Sequence, residues 1–174
     1  MKNKFIIFLL IVQIQSTLSF AENLNITAKK ILIDKKTKIS IFENEVIIKD
    51  EKNNIIKSDY AEYNKKLNLI TLKKNVLAKD SKGNIFKSNK AKYNEKLKVF
   101  ESLGKTEILT KEGSAVETQN IILNNSQDIV YSNNKTVITD FQQNKIFLEN
   151  FEYNTNKNIF KSIGNILIKD NLNN

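Results

Sequence analysis

Residues Lys57–Leu69 read KSDYAEYNKKLNL, and Lys87–Val99, thirty residues further on, read KSNKAKYNEKLKV, with seven of the thirteen positions identical. Self-similarity at a fixed period marks a repeat architecture and governs how the rest of the chain is read. Laid in rows of thirty from Leu24, the chain shows a column of Ile26, Ile56, Phe86, Val116 and Ile146, apolar in every row. Two places on, Ala28, Ser58, Ser88 and Thr118 are small, and Leu148 breaks the pattern. Apolar pairs follow at Ile31/Ile33, Ala61/Tyr63, Ala91/Tyr93, Ile121/Leu123 and Phe151/Tyr153. Two more apolar columns hold Ile39, Leu69, Val99, Ile129 and Ile159, then Ile48, Ala78, Ile108, Ile138 and Ile168.

Polar columns keep the same period. Asp34, Asn64, Asn94, Asn124 and Asn154 come directly after the apolar pairs. Asn44, Lys74, Gly104, Asn134 and Gly164 form a second column, and Asn53, Gly83, Gly113 and Gln143 a third. Asn, Asp and Gly tolerate positive φ, and Asn and Asp bond their own backbone, so these columns predict turns. Between them apolar residues recur every second position and β-branched and aromatic types dominate, which predicts strands. In the second copy these are Ile55–Tyr63, Leu67–Leu72 and Val76–Lys79, three short strands separated by turns. Five such copies give roughly fifteen strands, antiparallel because the turns are too short for crossovers. The inward parity switches between Ser58 and Ala61 in every copy, which predicts a bulge or corner at Asp59–Tyr60. One copy cannot bury its own apolar face, so the copies must stack, leaving the strands at the two ends of the stack without partners. Those end strands fall within Leu24–Ile33 and Ile159–Lys169.

Composition narrows the functional classes. The 174 residues include no His, Cys, Trp, Pro or Arg, so all 28 positive charges are lysines. Without His or Cys there is no disulfide, no thiol nucleophile, no imidazole base and no set of zinc ligands. Four glycines leave no phosphate-cradling loop. The acids Asp50, Asp80, Asp140 and Asp170 sit at turn ends, where carboxylates are expected to be solvated. The residues argue against an enzyme. A net charge of +9 implies attraction to anions, but base readout leans on bidentate arginine, so nucleic acid is not expected.

The first residues read as an address. Met1–Ala21 carries Lys2 and Lys4, an apolar run from Phe5 to Val12, a polar patch, and then Ser19-Phe20-Ala21. Small residues at the −3 and −1 positions predict signal-peptidase cleavage between Ala21 and Glu22. An uncleaved anchor needs roughly 20 apolar residues, and Gln13 and Gln15 interrupt a shorter run. The mature chain, residues 22–174, then forms a single domain with charge 26 − 19 = +7, in the periplasm.

Three segments together, ITAKKILID (Ile26–Asp34), ENEVIIKD (Glu43–Asp50) and the KSDYAEYN element (Lys57–Asn64), resemble the OstA-like family of lipopolysaccharide-transport proteins. That family includes the periplasmic bridge protein of the LptA type and the N-terminal domain of the outer-membrane lipopolysaccharide assembly protein. The resemblance covers the whole mature chain. It implies an all-β fold, a V-shaped antiparallel β-jellyroll built here from five stacked copies, whose apolar trough takes the acyl chains of lipid A. It also implies edge-strand pairing with other jellyroll transport proteins at the inner and outer membranes, or head-to-tail with copies of the same chain, and no cofactor. One departure is that Asn44-Glu45-Val46 and Lys74-Asn75-Val76 stand where the family has a glycine-containing turn.

The candidate trough lining is then Ile31, Ile33, Ile56, Ala61, Tyr63, Phe86, Ala91, Tyr93, Val116, Ile121, Leu123, Phe151 and Tyr153. Lys57, Lys87, Lys90 and Lys92, expected on the rim, are candidate contacts for lipid A phosphates. Each buried methylene is worth about 0.8 kcal/mol, so such a ligand could be held without any catalytic group. Two alternatives stay open. The chain could be the N-terminal domain of a split outer-membrane assembly protein, or a structural β-repeat protein of the cell envelope whose core is dry throughout.

Overall fold

The structure, a computed structural model, describes residues 24–49, 53–81, 83–124 and 126–172; the expected signal peptide with its cleavage point between Ala21 and Glu22 lies outside them. Alternating apolar residues and columns of turn formers produce sixteen strands among the described residues. They are β1 (Asn25–Thr27), β2 (Lys30–Asp34), β3 (Ile39–Lys49), β4 (Ile55–Asn64), β5 (Leu69–Lys79), β6 (Ile85–Asn94), β7 (Val99–Ser102) and β8 (Lys105–Leu109). Then follow β9 (Ala115–Gln119), β10 (Ile122–Asn124), β11 (Ile129–Ser132), β12 (Thr136–Thr139), β13 (Lys145–Leu148), β14 (Phe151–Asn154), β15 (Ile159–Lys161) and β16 (Ile166–Lys169). Every pairing is antiparallel and all sixteen belong to one sheet.

That sheet is folded lengthwise into two walls. Strands β3 to β6 run the full width, and the others belong to one wall only. The first wall has the order β1-β3-β4-β5-β6-β8-β9-β12-β13-β16, and the second β2-β3-β4-β5-β6-β7-β10-β11-β14-β15. The fold line is the expected corner. Pairing registers slip between Glu43 and Val46, between Lys57 and Tyr60, and between Lys73 and Val76. Asn44 and Glu45, like Lys74 and Asn75, take left-handed φ values of 52–64°. The segment 73–75 is therefore a bulge inside one continuous β5 rather than the separating turn the sequence predicts.

Beyond β6 the corner changes character, and the strands do break there. Buried hydroxyls replace the missing ladder bonds. Ser102 Oγ accepts from the Ile121 amide at 2.8 Å, and Thr106 Oγ1 donates to Ser102 Oγ at 2.7 Å. Ser132 Oγ donates to the Gln119 carbonyl at 2.7 Å, while Thr136 and Thr118 hydroxyls join at 2.8 Å. Pairing of this kind offsets the cost of burying these polar groups.

The turn columns explain the strand ends. Asn53, Gly83, Gly113 and Gln143 all have positive φ, between 64° and 99°. Asp34, Asn64, Asn94, Asn124 and Asn154 each accept backbone N–H bonds from two or three residues on, at 2.8–3.2 Å. A further column, Lys38, Asn68, Lys98, Asp128 and Asn158, is also left-handed.

Candidate functional site

The register assembles the sequence columns into continuous apolar rows. On the first wall the inward row runs Ile26, Ile48, Ile56, Ala78, Phe86, Ile108, Val116, Ile138, Ile146, Ile168, one residue per strand from end to end. On the second it runs Ile33, Ser40, Tyr63, Ile70, Tyr93, Phe100, Leu123, Val130, Tyr153, Phe160. The second row corrects the sequence reading. Leu69 and Val99 pair with Asn64 and Asn94 on the outward side, so the inward column is Ile70, Phe100 and Val130.

The two rows meet. Phe86 and Phe100 touch edge-on across the interior with ring centroids 5.0 Å apart, and one apolar cluster spans both walls. Of the thirteen candidate lining residues, ten are buried: Ile56, Ala61, Phe86, Ala91, Tyr93, Val116, Ile121, Leu123, Phe151 and Tyr153. The space left among Ala78, Phe86, Phe100, Ile108, Leu123 and Val130 is a cavity of about 20 Å³, room for about one water and no acyl chain. In this conformation the middle of the interior is a closed core.

Its ends are not closed. Among the described residues, strands β1 and β2 pair only with β3, β15 only with β14, and β16 only with β13. Ile31, Leu32 and Ile33 are 46, 49 and 67% exposed, and Ile166, Leu167 and Ile168 are 53, 52 and 56% exposed. Both candidate residues at the first end, Ile31 and Ile33, are therefore on display, where a further layer would cover them. These edges carry unpaired backbone groups and an apolar inner face together.

Tyr63 lies half-buried between these two situations. Its hydroxyl donates to Glu95 Oε2 at 2.9 Å. Partial burial, then the Glu95 carboxylate, pushes its pKa up to about 12. Burial also raises Tyr153, whose hydroxyl donates to Asn158 Oδ1 at 3.1 Å.

The candidate phosphate lysines are not on a rim. Strand alternation puts Lys57 and Lys87 on the outer face of the first wall, flanking Leu77, and Lys87 pairs with Glu107 at 3.3 Å. Lys92 lies on the outer face of the second wall between Thr71 and Glu101, and Lys90 stands opposite Lys73 at the corner. The expected solvated acids also need correcting at two places. Asp80 and Asp140 are buried, each accepting from the amide and the side chain of the asparagine four residues on, Asn84 and Asn144, at 2.7–2.8 Å. Asp170 is exposed and Asp50 lies outside the described residues.

No protein-family model and no curated sequence matches this one. Among solved structures, the chain is similar to LptH, the LptA-homologous periplasmic component of the lipopolysaccharide transport device from Pseudomonas aeruginosa. The identity is 12%, the match covers 84% of this chain and 93% of that one, and the TM-score is 0.37. At that level the likeness says nothing about ligand or partner. The residues and the folded sheet have to carry the reading instead.

Proposed function

We propose that the chain is a periplasmic lipopolysaccharide-binding transport component that passes lipid along its apolar interior as one unit of a bridge between inner and outer membrane. The observation that carries this is the pair of inward rows, apolar in nineteen of their twenty positions, running to uncovered edge strands at both ends. A folded sheet with that interior offers a lengthwise path for acyl chains, and its ends offer strand addition to neighbouring jellyrolls or to a second copy. The resemblance of ITAKKILID, ENEVIIKD and KSDYAEYN to the OstA-like family supports the same reading. The signal peptide ahead of Glu22 supplies the route to the periplasm.

Lipid insertion requires the walls to part across contacts such as Phe86–Phe100, while the hydroxyl-bonded corner stays closed. No catalytic residue and no cofactor is required. The closed core favours a second reading, a structural β-repeat whose interior stays dry. Photocrosslinking residues at Tyr63, Tyr93 and Leu123 separate the two. Capture of lipopolysaccharide there, with none at the outer-face position Thr71, supports transport. No capture at any inward position, together with no lipid detected by mass spectrometry of the purified protein, leaves the structural reading standing.

A further inference from the structure

The hairpin tips of the second wall carry a charge pattern of their own. The first three tips are DKKTK (34–38), NKKLN (64–68) and NEKLK (94–98). They hold seven exposed lysines, Lys35, Lys36, Lys38, Lys65, Lys66, Lys96 and Lys98, against Asp34 and Glu95. None of the seven takes part in the ion pairs formed among the described residues. The next two tips, described at 124, 126–128 and 154–158, hold only Asp128 and Lys157. At the opposite rim the described turn residues Asp80, Lys111, Glu112, Asp140 and Asp170 sum to −3. The strand ends beside those turns carry Lys49, Lys79, Lys145 and Lys169, so that rim is mixed in charge, whereas the lysine-rich tips lie together on one half of the other.

The same tips display Leu67 and Leu97, 60% and 59% exposed, at equivalent positions of adjacent copies. The tips are also tied to one another. Lys65 donates its amide to the Lys38 carbonyl at 3.0 Å, and Glu95 to that of Asn68 at 2.9 Å. Lysines and leucines therefore share one ridge whose tips are joined through the backbone.

We infer that this ridge docks the protein side-on against an anionic lipid bilayer. Clustered lysines are drawn to acidic head groups, and neighbouring leucines gain by entering the boundary between head groups and acyl chains. A nucleic-acid surface uses lysines but has no place for two leucines, and the ridge has no aromatic ring for base stacking. The last two tips, which balance one lysine against one aspartate, set the orientation, with the first three tips toward the membrane.

The test is co-sedimentation of the purified protein with vesicles of phosphatidylglycerol and phosphatidylethanolamine, against vesicles of phosphatidylcholine alone. Binding to the anionic vesicles is expected and should fall as salt rises. A variant with Lys36, Lys65, Lys66 and Lys96 changed to Gln should lose at least tenfold in partition. A control of the same charge, with Lys49, Lys79, Lys105 and Lys145 changed to Gln, should lose less than threefold. Leu67→Ser with Leu97→Ser should weaken binding several-fold at unchanged charge, and both leucines are too exposed for the change to unfold the chain. Equal losses in the two lysine variants would show a net-charge effect and overturn the ridge. So would unaltered binding of the leucine variant.

Discussion

Phe86 on one wall meets Phe100 on the other edge-on, with centroids 5.0 Å apart and ring planes at 85°. This contact is where the folded sheet becomes a packed protein. Phe100 is fully buried, so Phe100→Ala is expected to cost about 3–5 kcal/mol, read as a shift of the chemical denaturation midpoint. An edge-to-face pair adds about 0.5–1.5 kcal/mol beyond area burial. A double-mutant cycle with Phe86→Leu and Phe100→Leu should recover a coupling of that order. Strict additivity would mean that the walls are not joined at this point.

Ser114 marks a gap in a ladder. Asn54, Asn84 and Asn144 each accept, through Oδ1, the amide of a residue in the next copy, Ser81, Lys111 and Asn171, at 3.0–3.2 Å. Position 114 belongs to the same column, but its hydroxyl is buried with no hydrogen-bond partner among the described residues. Ser114→Asn should supply the missing bond and raise stability by about 0.5–1.5 kcal/mol, a gain of a few degrees in Tm by calorimetry. Asn84→Ala should lower stability by a similar amount or more. A lower Tm for the Ser114→Asn protein would mean that the larger side chain does not fit the turn.

These two sites show what the sequence carried and what it hid. The thirty-residue period, the corner after Ser58 and the inward pair Ala61/Tyr63 were legible because apolar and turn residues recur in fixed columns. The inward column at Ile70, Phe100 and Val130 was missed because its first member is Ser40, which hides the pattern, while Ile39 beside it looks like the better candidate. The left-handed column at Lys38, Asn68 and Lys98 was hidden for a similar reason, since lysine gives no sign of positive φ. Whether the interior is a groove or a core depends on how closely the walls approach, and no column encodes that distance. The rim lysines were misplaced because alternation along a strand separates inner from outer face but does not locate a rim.

Tyr63 should ionise late. Partial burial and the bond to Glu95 raise its pKa from 10 to about 12. The fold therefore favours the protonated phenol. This contribution is complete below pH 10 and is lost as pH rises from about 10 through about 12. Titration by phenolate absorbance should show a high-pH component that loses one tyrosine's amplitude in Tyr63→Phe, and in Glu95→Gln that share should move to lower pH. A Glu95→Gln curve matching that of the unaltered protein would assign the shift to burial alone.

The uncovered edges make a prediction about assembly. Ile31 and Ile33 at one end, and Ile166 and Ile168 at the other, are exposed, so replacing them should leave the stability of a single chain almost unaltered. Charge on an edge strand blocks strand addition. Ile31→Lys with Ile33→Lys should disable the first end, and Ile166→Lys with Ile168→Lys the second. If joining is head-to-tail, sedimentation velocity should find each double variant monomeric on its own at concentrations where the unaltered chain associates. An equimolar mixture of the two should then form dimers, because each still carries the end that the other lacks. Like-to-like joining gives the reverse pattern: each variant alone would dimerise through its intact end, and mixing would add nothing.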